Sequence, residues 1–126
     1  MKYLLDTHTL LWFLHGDDRL PDSTHVLICD SDEVYVSIVS LWEIAIKKSI
    51  GKLIIPEGVT DIAAACAEQA IEILPVSVFA LDRLSGLAQL HGDPFDRIII
   101  TTALEKGMTL ITDDSRIRQY DVNTCW

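Results

Sequence analysis

Strand-length apolar segments alternate with longer helix-like segments along this chain, and this alternation restricts the fold more than any other feature. Lys2–Leu5, Val34–Val39, Ile71–Val76 and Met108–Ile111 are short, apolar and bounded by polar or turn residues, as expected of buried strands. Strands that alternate with helices form parallel sheets with helices on both faces. The sequence therefore predicts an α/β fold around a central, mostly parallel sheet.

Capping residues predict where the helices begin and end. The polar turn Asp6–Thr9 precedes the first helix, and Pro21 opens the second. Ser40 followed by Glu43 predicts a capping box for the third. Pro75 places the third strand at a sheet edge, or ends it. The remaining expectations are helix ends near Asp30 and Gly51, helices from Asp61 to about Ala70, from Ser77 towards Leu90 and from the Asp93 cap to Gly107, and a last strand near Val122.

Length and composition indicate one globular domain, residues 1–126. The chain has 49% hydrophobic residues, and its size is enough for one core. No apolar run approaches the roughly 20 residues that cross a bilayer, and Asp6 interrupts the apolar start that a signal peptide would need. Cys29, Cys66 and Cys125 show no CxxC spacing, which gives no sign of a zinc site or a disulfide framework. We expect a cytoplasmic protein without a membrane span.

The net charge argues against general polyanion binding. Nineteen acidic and ten basic residues give a formal charge of −9, so any nucleic acid would have to bind a local site. Divalent cations held by some of the acids would offset part of this charge. The candidate cations for a substrate strand are Lys47, Lys48, Lys52, Arg97, Arg116 and Arg118.

Acids occur where the predicted strands lead into helices or loops. Asp6 and Asp114 follow strands, while Glu43 and Asp96 lie near the starts of helices. Each acid alone has a structural explanation, such as a cap or a turn. Ligand sites of parallel sheets, however, form at the carboxyl ends of the strands. Carboxylates gathered there repel one another unless a cation lies between them, and oxygen-only ligands suit Mg²⁺ or Mn²⁺.

Four stretches together resemble a PIN domain of the VapC toxin type, in order and spacing along nearly the whole chain. They are Leu4–Trp12, Ser40–Ile44, His91–Arg97 and Leu110–Asp114. The resemblance implies a three-layer α/β/α fold and an Mg²⁺- or Mn²⁺-dependent endoribonuclease that acts on an RNA substrate. It also implies a toxin held inactive by a cognate antitoxin protein, and a homodimer.

The resemblance assigns residues by position. Asp6, Glu43, Asp96 and Asp114 match the acids of the family, which are both catalytic and metal-binding. Three residues are candidate supports: Thr112 as a hydroxyl beside the last acid, Asp93 chiefly as a helix cap, and Arg97 as a partner for a site acid.

The sequence departs from the family pattern at one position and is ambiguous at another. His8 stands where many members carry Asn or Ser, and we expect it to be a surface residue. The Asp113–Asp114 pair leaves the fourth acid ambiguous by one residue, and the Thr-x-Asp spacing from Thr112 favours Asp114.

The hypothesis for function is hydrolysis of RNA in line, by water that the metal activates, to give 5′-phosphate and 3′-hydroxyl ends. Two alternatives belong to other classes. A receiver-like signalling domain would need an early acidic pair and a Lys near a late strand end, and the sequence has neither. A non-catalytic PIN-like binding module would keep the fold without needing all the acids.

Overall fold

The computed structural model describes residues 1–126 as alternating strands and helices. None of the helices is both long and apolar enough to cross a membrane. The strands are β1 (Tyr3–Leu5), β2 (Val34–Ser37), β3 (Ile71–Leu74), β4 (Thr109–Ile111) and β5 (Thr124–Cys125). The helices are α1 (Thr7–His15), α2 (Asp22–Asp30), α3 (Ile38–Ser49), α4 (Val59–Glu68), α5 (Val78–Gly86) and α6 (Pro94–Lys106), with a 3₁₀ helix at Ile117–Gln119.

The sheet is parallel throughout, with the order β3-β2-β1-β4-β5. The central strand β1 pairs on both sides, so that Leu5 lies beside Val36 of β2 and Ile111 of β4. The prediction for Pro75 is confirmed, because β3 is an edge strand and ends at Leu74. Because all the strand pairs are parallel, the carboxyl ends of the strands lie at one edge of the sheet.

Two hydrophobic clusters cover the two faces of the sheet and confirm the three-layer α/β/α architecture. Successive side chains of a strand point to opposite faces, and Leu5 accordingly joins one cluster while Leu4 joins the other. The first cluster includes Leu10 of α1 and Ile44 of α3, together with residues of α2 and α4. The second includes Ile99 of α6 and Ile117 of the 3₁₀ helix.

The predicted boundary between the second strand and third helix is wrong by three residues. The strand ends at Ser37, whose hydroxyl oxygen accepts a hydrogen bond from the Val39 backbone N–H at 3.1 Å and caps α3. Ser40 therefore lies inside the helix and forms no capping box with Glu43. Burial decides the outcome, since Val39 and Leu41 pack into the protein from helical positions, and packing overrides the strand propensity of β-branched residues.

The other helix ends agree with the signals to within a few residues. Ser77 and Asp93 are the N-caps of α5 and α6, as predicted. Gly107 follows α6 in the left-handed conformation. The differences are the span of α4, predicted as Asp61 to Ala70, the end of α5, predicted near Leu90, and the last strand, which forms at Thr124–Cys125 rather than at Val122.

Replacing Gly107 by Ala should destabilise the protein by about 1 kcal/mol, because this residue has a φ of 65° and a Cβ is disfavoured there. A Cβ would meet no atom within 4 Å, so the cost is one of backbone conformation alone. Gly86→Ala is the matched control, since it is equally open but has no positive φ. Urea denaturation should show a loss for the first variant only, and equal stabilities would contradict the conformational explanation.

Candidate active site

The four predicted acids lie on elements that meet at the carboxyl edge of the sheet. Asp6 directly follows β1, and Asp114 follows β4. Glu43 lies in α3, which leaves β2, and Asp96 lies in the first turn of α6. Asp6 and Glu43 are each 3% exposed and Asp96 is 9% exposed. Charged groups are rarely buried to this extent without partners, so the contacts of each acid decide what the site can do.

Asp6 links the start of α1 to the end of β4. One carboxylate oxygen caps α1 by accepting from the Thr9 backbone N–H at 2.9 Å. The other accepts the hydroxyl of Thr112, whose oxygen in turn accepts the backbone N–H of Asp114 at 3.0 Å. Burial raises the pKa of Asp6, while the hydrogen bonds from Thr112 and Thr9 act in the opposite direction. Thr112 thus holds two of the acids in a fixed relation.

Glu43 is held by residues from two helices. Its Oε1 lies 2.6 Å from the hydroxyl of Thr7, which is also 2.9 Å from the hydroxyl of Ser40. Its Oε2 accepts from the ammonium group of Lys47, one turn further along α3. These contacts replace the predicted capping box, and they direct the Glu43 carboxylate towards the residue that follows Asp6.

Asp114 and Asp96 share a cation. Arg116 donates to both oxygens of Asp114, at 3.1 Å and 2.8 Å, and lies 3.9 Å from Asp96 Oδ2. The hydrogen bonds from Arg116 lower the pKa of Asp114. Asp113, in contrast, is exposed. Of the two adjacent acids, Asp114 is therefore the one that lies beside Asp96.

Asp96 experiences the negative charge of its neighbours. Its pKa is raised to about 6, first by burial and then by the charges of Asp93, Asp114 and Glu43, while a hydrogen bond from His91 opposes the shift. Asp93 itself caps α6, accepting from the backbone N–H of Phe95 and Asp96. The electrostatics therefore join Asp96 to two other predicted acids in one negatively charged site.

Two candidate residues make no hydrogen bond to the site acids. Arg97 does not pair with a site acid, and that expectation is wrong. Its buried guanidinium donates to the carbonyl oxygens of Leu87 and Ala88 and to the hydroxyl of Tyr120. His8 is exposed and packs its ring 5.9 Å from that of Trp12. It makes no hydrogen bond to the acids.

The structure adds residues that the sequence did not single out for the site. Thr7 contacts Glu43, and His91 Nε2 lies 3.2 Å from Asp96 Oδ2. Both carried a local signal, because Thr7 follows Asp6 and His91 precedes the Asp93 cap. The sequence offers Lys47 as a candidate for phosphate binding, and its position four residues after Glu43 is also that of a helical ion pair.

The acids and hydroxyls form a donor set that fits a hard divalent cation, although their side chains are not closed into a coordination sphere. No three Cys, His, Asp or Glu side chains are arranged to hold a metal ion, and Lys47 and Arg116 form ion pairs with Glu43 and Asp114. Carboxylate oxygens are the preferred ligands of Mg²⁺. Burial and, after it, the charges of Asp93, Asp114 and Glu43 raise the pKa of Asp96, so a bound cation would favour its ionised form.

Comparisons with known proteins agree with this fold. The family model named PIN domain matches residues 3–123. Ribonuclease VapC22 of Mycobacterium tuberculosis is 28% identical over 117 residues, covering 93% of this chain and 90% of the relative. VapBC2 from Rickettsia felis, bound to a promoter DNA fragment, has a TM-score of 0.72 at 15% identity, covering 99% of this chain and 98% of that one. DNA-bound VapBC from Salmonella typhimurium has a TM-score of 0.71 at 17% identity, with coverages of 99% and 97%. The chain belongs to the PIN domain family.

Proposed function

We propose that this protein is a metal-dependent endoribonuclease and the toxin component of a toxin–antitoxin pair. The main support is the meeting of Asp6, Glu43, Asp96 and Asp114 at one edge of the sheet, with the pKa of Asp96 raised to about 6. The family match over residues 3–123 and the relative named a ribonuclease favour the same function. Membership of the PIN family also argues against a receiver-like signalling domain.

Each acid has a part in the proposed site. Asp6, Glu43, Asp96 and Asp114 would hold Mg²⁺ or Mn²⁺. A metal held by these acids would supply a Lewis acid that polarises the phosphodiester and lowers the pKa of water for attack in line. Thr112 fixes Asp6 relative to Asp114 through its hydroxyl. No nucleophilic side chain is needed, and the expected products carry 5′-phosphate and 3′-hydroxyl ends.

Lys47 and Arg116 reconcile the acidic protein with an RNA substrate. Both lie beside site acids, and each is partly exposed, at 34% and 54% of its side chain. When a divalent cation binds the acids, these two side chains are free to contact phosphate oxygens instead. Local cations of this kind act within the Debye length of about 8 Å, so the net charge of −9 does not prevent binding at the site.

The proposed partners are an antitoxin and a second copy of the chain. Solved VapBC complexes have the same fold, and an acidic site suits a cationic antitoxin segment. Exposed aromatic side chains favour a homodimer, since Trp42 and Phe79 are 55% and 71% exposed and aromatic residues are enriched at interfaces. We place the activity in the cytoplasm, where RNA and antitoxin would both be present.

Removing the metal should abolish cleavage. Purified protein freed of antitoxin should cut end-labelled structured RNAs in Mg²⁺ or Mn²⁺, and excess EDTA should stop the reaction, because the carboxylates alone supply no Lewis acid. Adding Mn²⁺ back should restore it, and the products should carry 5′-phosphate ends. Cleavage that persists in EDTA, or ends that are 2′,3′-cyclic phosphates, would contradict the mechanism. Folded protein that cuts no RNA in the panel would favour the non-catalytic binding module.

A further inference from the structure

His91 is buried between a site acid and a tyrosine. Its side chain is 8% exposed. On one side, Nε2 lies 3.2 Å from Asp96 Oδ2, and on the other, Nδ1 lies 2.8 Å from the hydroxyl of Tyr120. The rings of His91 and Tyr120 pack edge to face with centroids 5.4 Å apart. The imidazole is therefore fixed from both ends.

The hydrogen-bond partners of His91 determine which nitrogen of its imidazole carries the proton. The Tyr120 hydroxyl oxygen has two lone pairs, and it accepts from the His91 backbone N–H at 3.2 Å and from Arg97 Nη1 at 3.0 Å. With both lone pairs in use, the hydroxyl must donate its own hydrogen to His91 Nδ1. The remaining imidazole proton is then on Nε2, where it is donated to Asp96 Oδ2.

The hydrogen bonds from Arg97 through Tyr120 and His91 to Asp96 form a relay, and Arg97 fixes its first member to the backbone. Its guanidinium is held by the carbonyl oxygens of Leu87 and Ala88 while it donates to Tyr120. Arg97 and Tyr120 are 7% and 5% exposed, so neither is free to reorient. The series Arg97, Tyr120, His91 and Asp96 thus runs from fixed backbone to a site carboxylate with a single direction of hydrogen bonding.

The relay leaves one oxygen of Asp96 available. Oδ2 accepts from His91 and lies 3.9 Å from Arg116 Nη2, whereas no hydrogen bond reaches Oδ1. Hydrogen bonds to a metal-binding carboxylate fix its rotamer and select the oxygen that faces the ion. Glu43 and Asp114, in contrast, each have one charged and partly exposed partner, Lys47 and Arg116 respectively.

We propose that His91 is a positioning residue that aims Asp96 Oδ1 at a divalent cation, and that Tyr120 and Arg97 fix the tautomer of His91 that does so. This inference rests on the proposed function, because it assigns Asp96 to the metal site. His91 itself does not contact the metal or the RNA.

Two substitutions of His91 separate positioning from packing. His91→Gln can keep an amide N–H near the place of Nε2, whereas His91→Asn can keep the contact with Tyr120 but cannot reach Asp96. Mn²⁺ binding to metal-free protein, followed by electron paramagnetic resonance, should be about 10- to 100-fold weaker in His91→Asn. Binding in His91→Gln should stay within about threefold of the wild type, and RNA cleavage at limiting Mn²⁺ should follow the same order.

The outcomes of this test separate the inference from the proposed function. If the wild type cuts RNA and His91→Asn binds Mn²⁺ as tightly as the wild type, the positioning role is wrong and the nuclease stands. If the wild type binds Mn²⁺ but cuts no RNA, the proposed nuclease function is wrong. The ratio of the Mn²⁺ affinities of the wild type and His91→Asn still decides the role of His91. If the wild type does not bind Mn²⁺, both proposals are wrong.

Tyr120→Phe provides a second variant in case His91→Asn does not fold. It keeps the ring beside His91 and removes the hydroxyl, so Mn²⁺ binding should weaken several-fold while thermal unfolding shows a folded protein. Nitrogen-15 NMR of the wild type should show the Nε2–H tautomer of His91. The Nδ1–H tautomer would overturn the relay whatever the activity.

Discussion

Replacing Asp6 by Asn should lower RNA cleavage by at least about a hundredfold while leaving the fold intact. Asn is as good an N-cap as Asp, so the hydrogen bond from the Thr9 backbone N–H to this side chain can persist and α1 can still form. The negative charge, which a divalent cation requires, is lost. Cleavage of a labelled RNA at saturating Mn²⁺ measures the first effect, and thermal unfolding without metal measures the second.

Asp61→Asn is the matched control for this substitution. Asp61 also lies at the start of a helix, where its carboxylate accepts the Gly58 backbone N–H at 2.9 Å, but it is exposed and lies on α4 rather than among the site acids. The same chemical change there should leave cleavage within about twofold of the wild type. Equal losses in the two variants would mean that the Asp6 result reflects charge in general and not the site.

The sequence predicted the sheet and the four acids because both depend on local patterns. Strand-length apolar segments and capping residues such as Asp93 are read within a few residues of the chain, and a parallel sheet necessarily brings its strand ends together. The positions of Asp6 and Asp114 after strands followed directly. Their arrangement at one edge needed no knowledge of individual contacts.

The sequence could not predict the contacts that hold the acids in place, because the partners are distant along the chain. Ser40 and Glu43 have the spacing of a capping box, yet Glu43 contacts Thr7, which lies 36 positions earlier. The sequence predicts that Arg97 pairs with an acid, but its guanidinium donates to the Tyr120 hydroxyl and to two backbone carbonyl oxygens instead. Such side-chain networks depend on tertiary packing, which no local pattern encodes.

Asp96→Asn should make the metal-free protein more stable at pH 7, by about 2 kcal/mol. The pKa of Asp96 is raised from 3.8 to about 6. Between about pH 4 and pH 6 the folded chain therefore holds a proton that the unfolded chain has released, and the free energy of unfolding falls as the pH rises through that window. Each pKa unit corresponds to about 1.4 kcal/mol, and sharing of the proton among neighbouring acids reduces the total. The neutral amide removes this loss.

Asp114→Asn should change the free energy of unfolding in the opposite direction and make the protein less stable at pH 7. The pKa of Asp114 is lowered by Arg116, so the ionised carboxylate stabilises the fold above the unfolded pKa, and that contribution is lost as the pH falls through the folded pKa. Urea denaturation in EDTA should therefore show Asp96→Asn gaining on the wild type as the pH rises from about 4 to 7, and Asp114→Asn falling behind it as the pH rises from about 2 to 5. Two shifts of the same sign would contradict the assigned charges.

Cleavage and stability should change in opposite directions in Asp96→Asn. The variant should lose at least about a hundredfold in cleavage, since it removes a proposed metal ligand, while its metal-free fold gains free energy. Saturating Mn²⁺ should reverse the order of stability, because a ligand that binds only the folded state stabilises it and the wild type binds it more tightly. A variant that is less stable than the wild type without metal would show that burial and neighbouring charges do not destabilise the ionised Asp96 carboxylate. A variant that keeps full activity would remove Asp96 from the site.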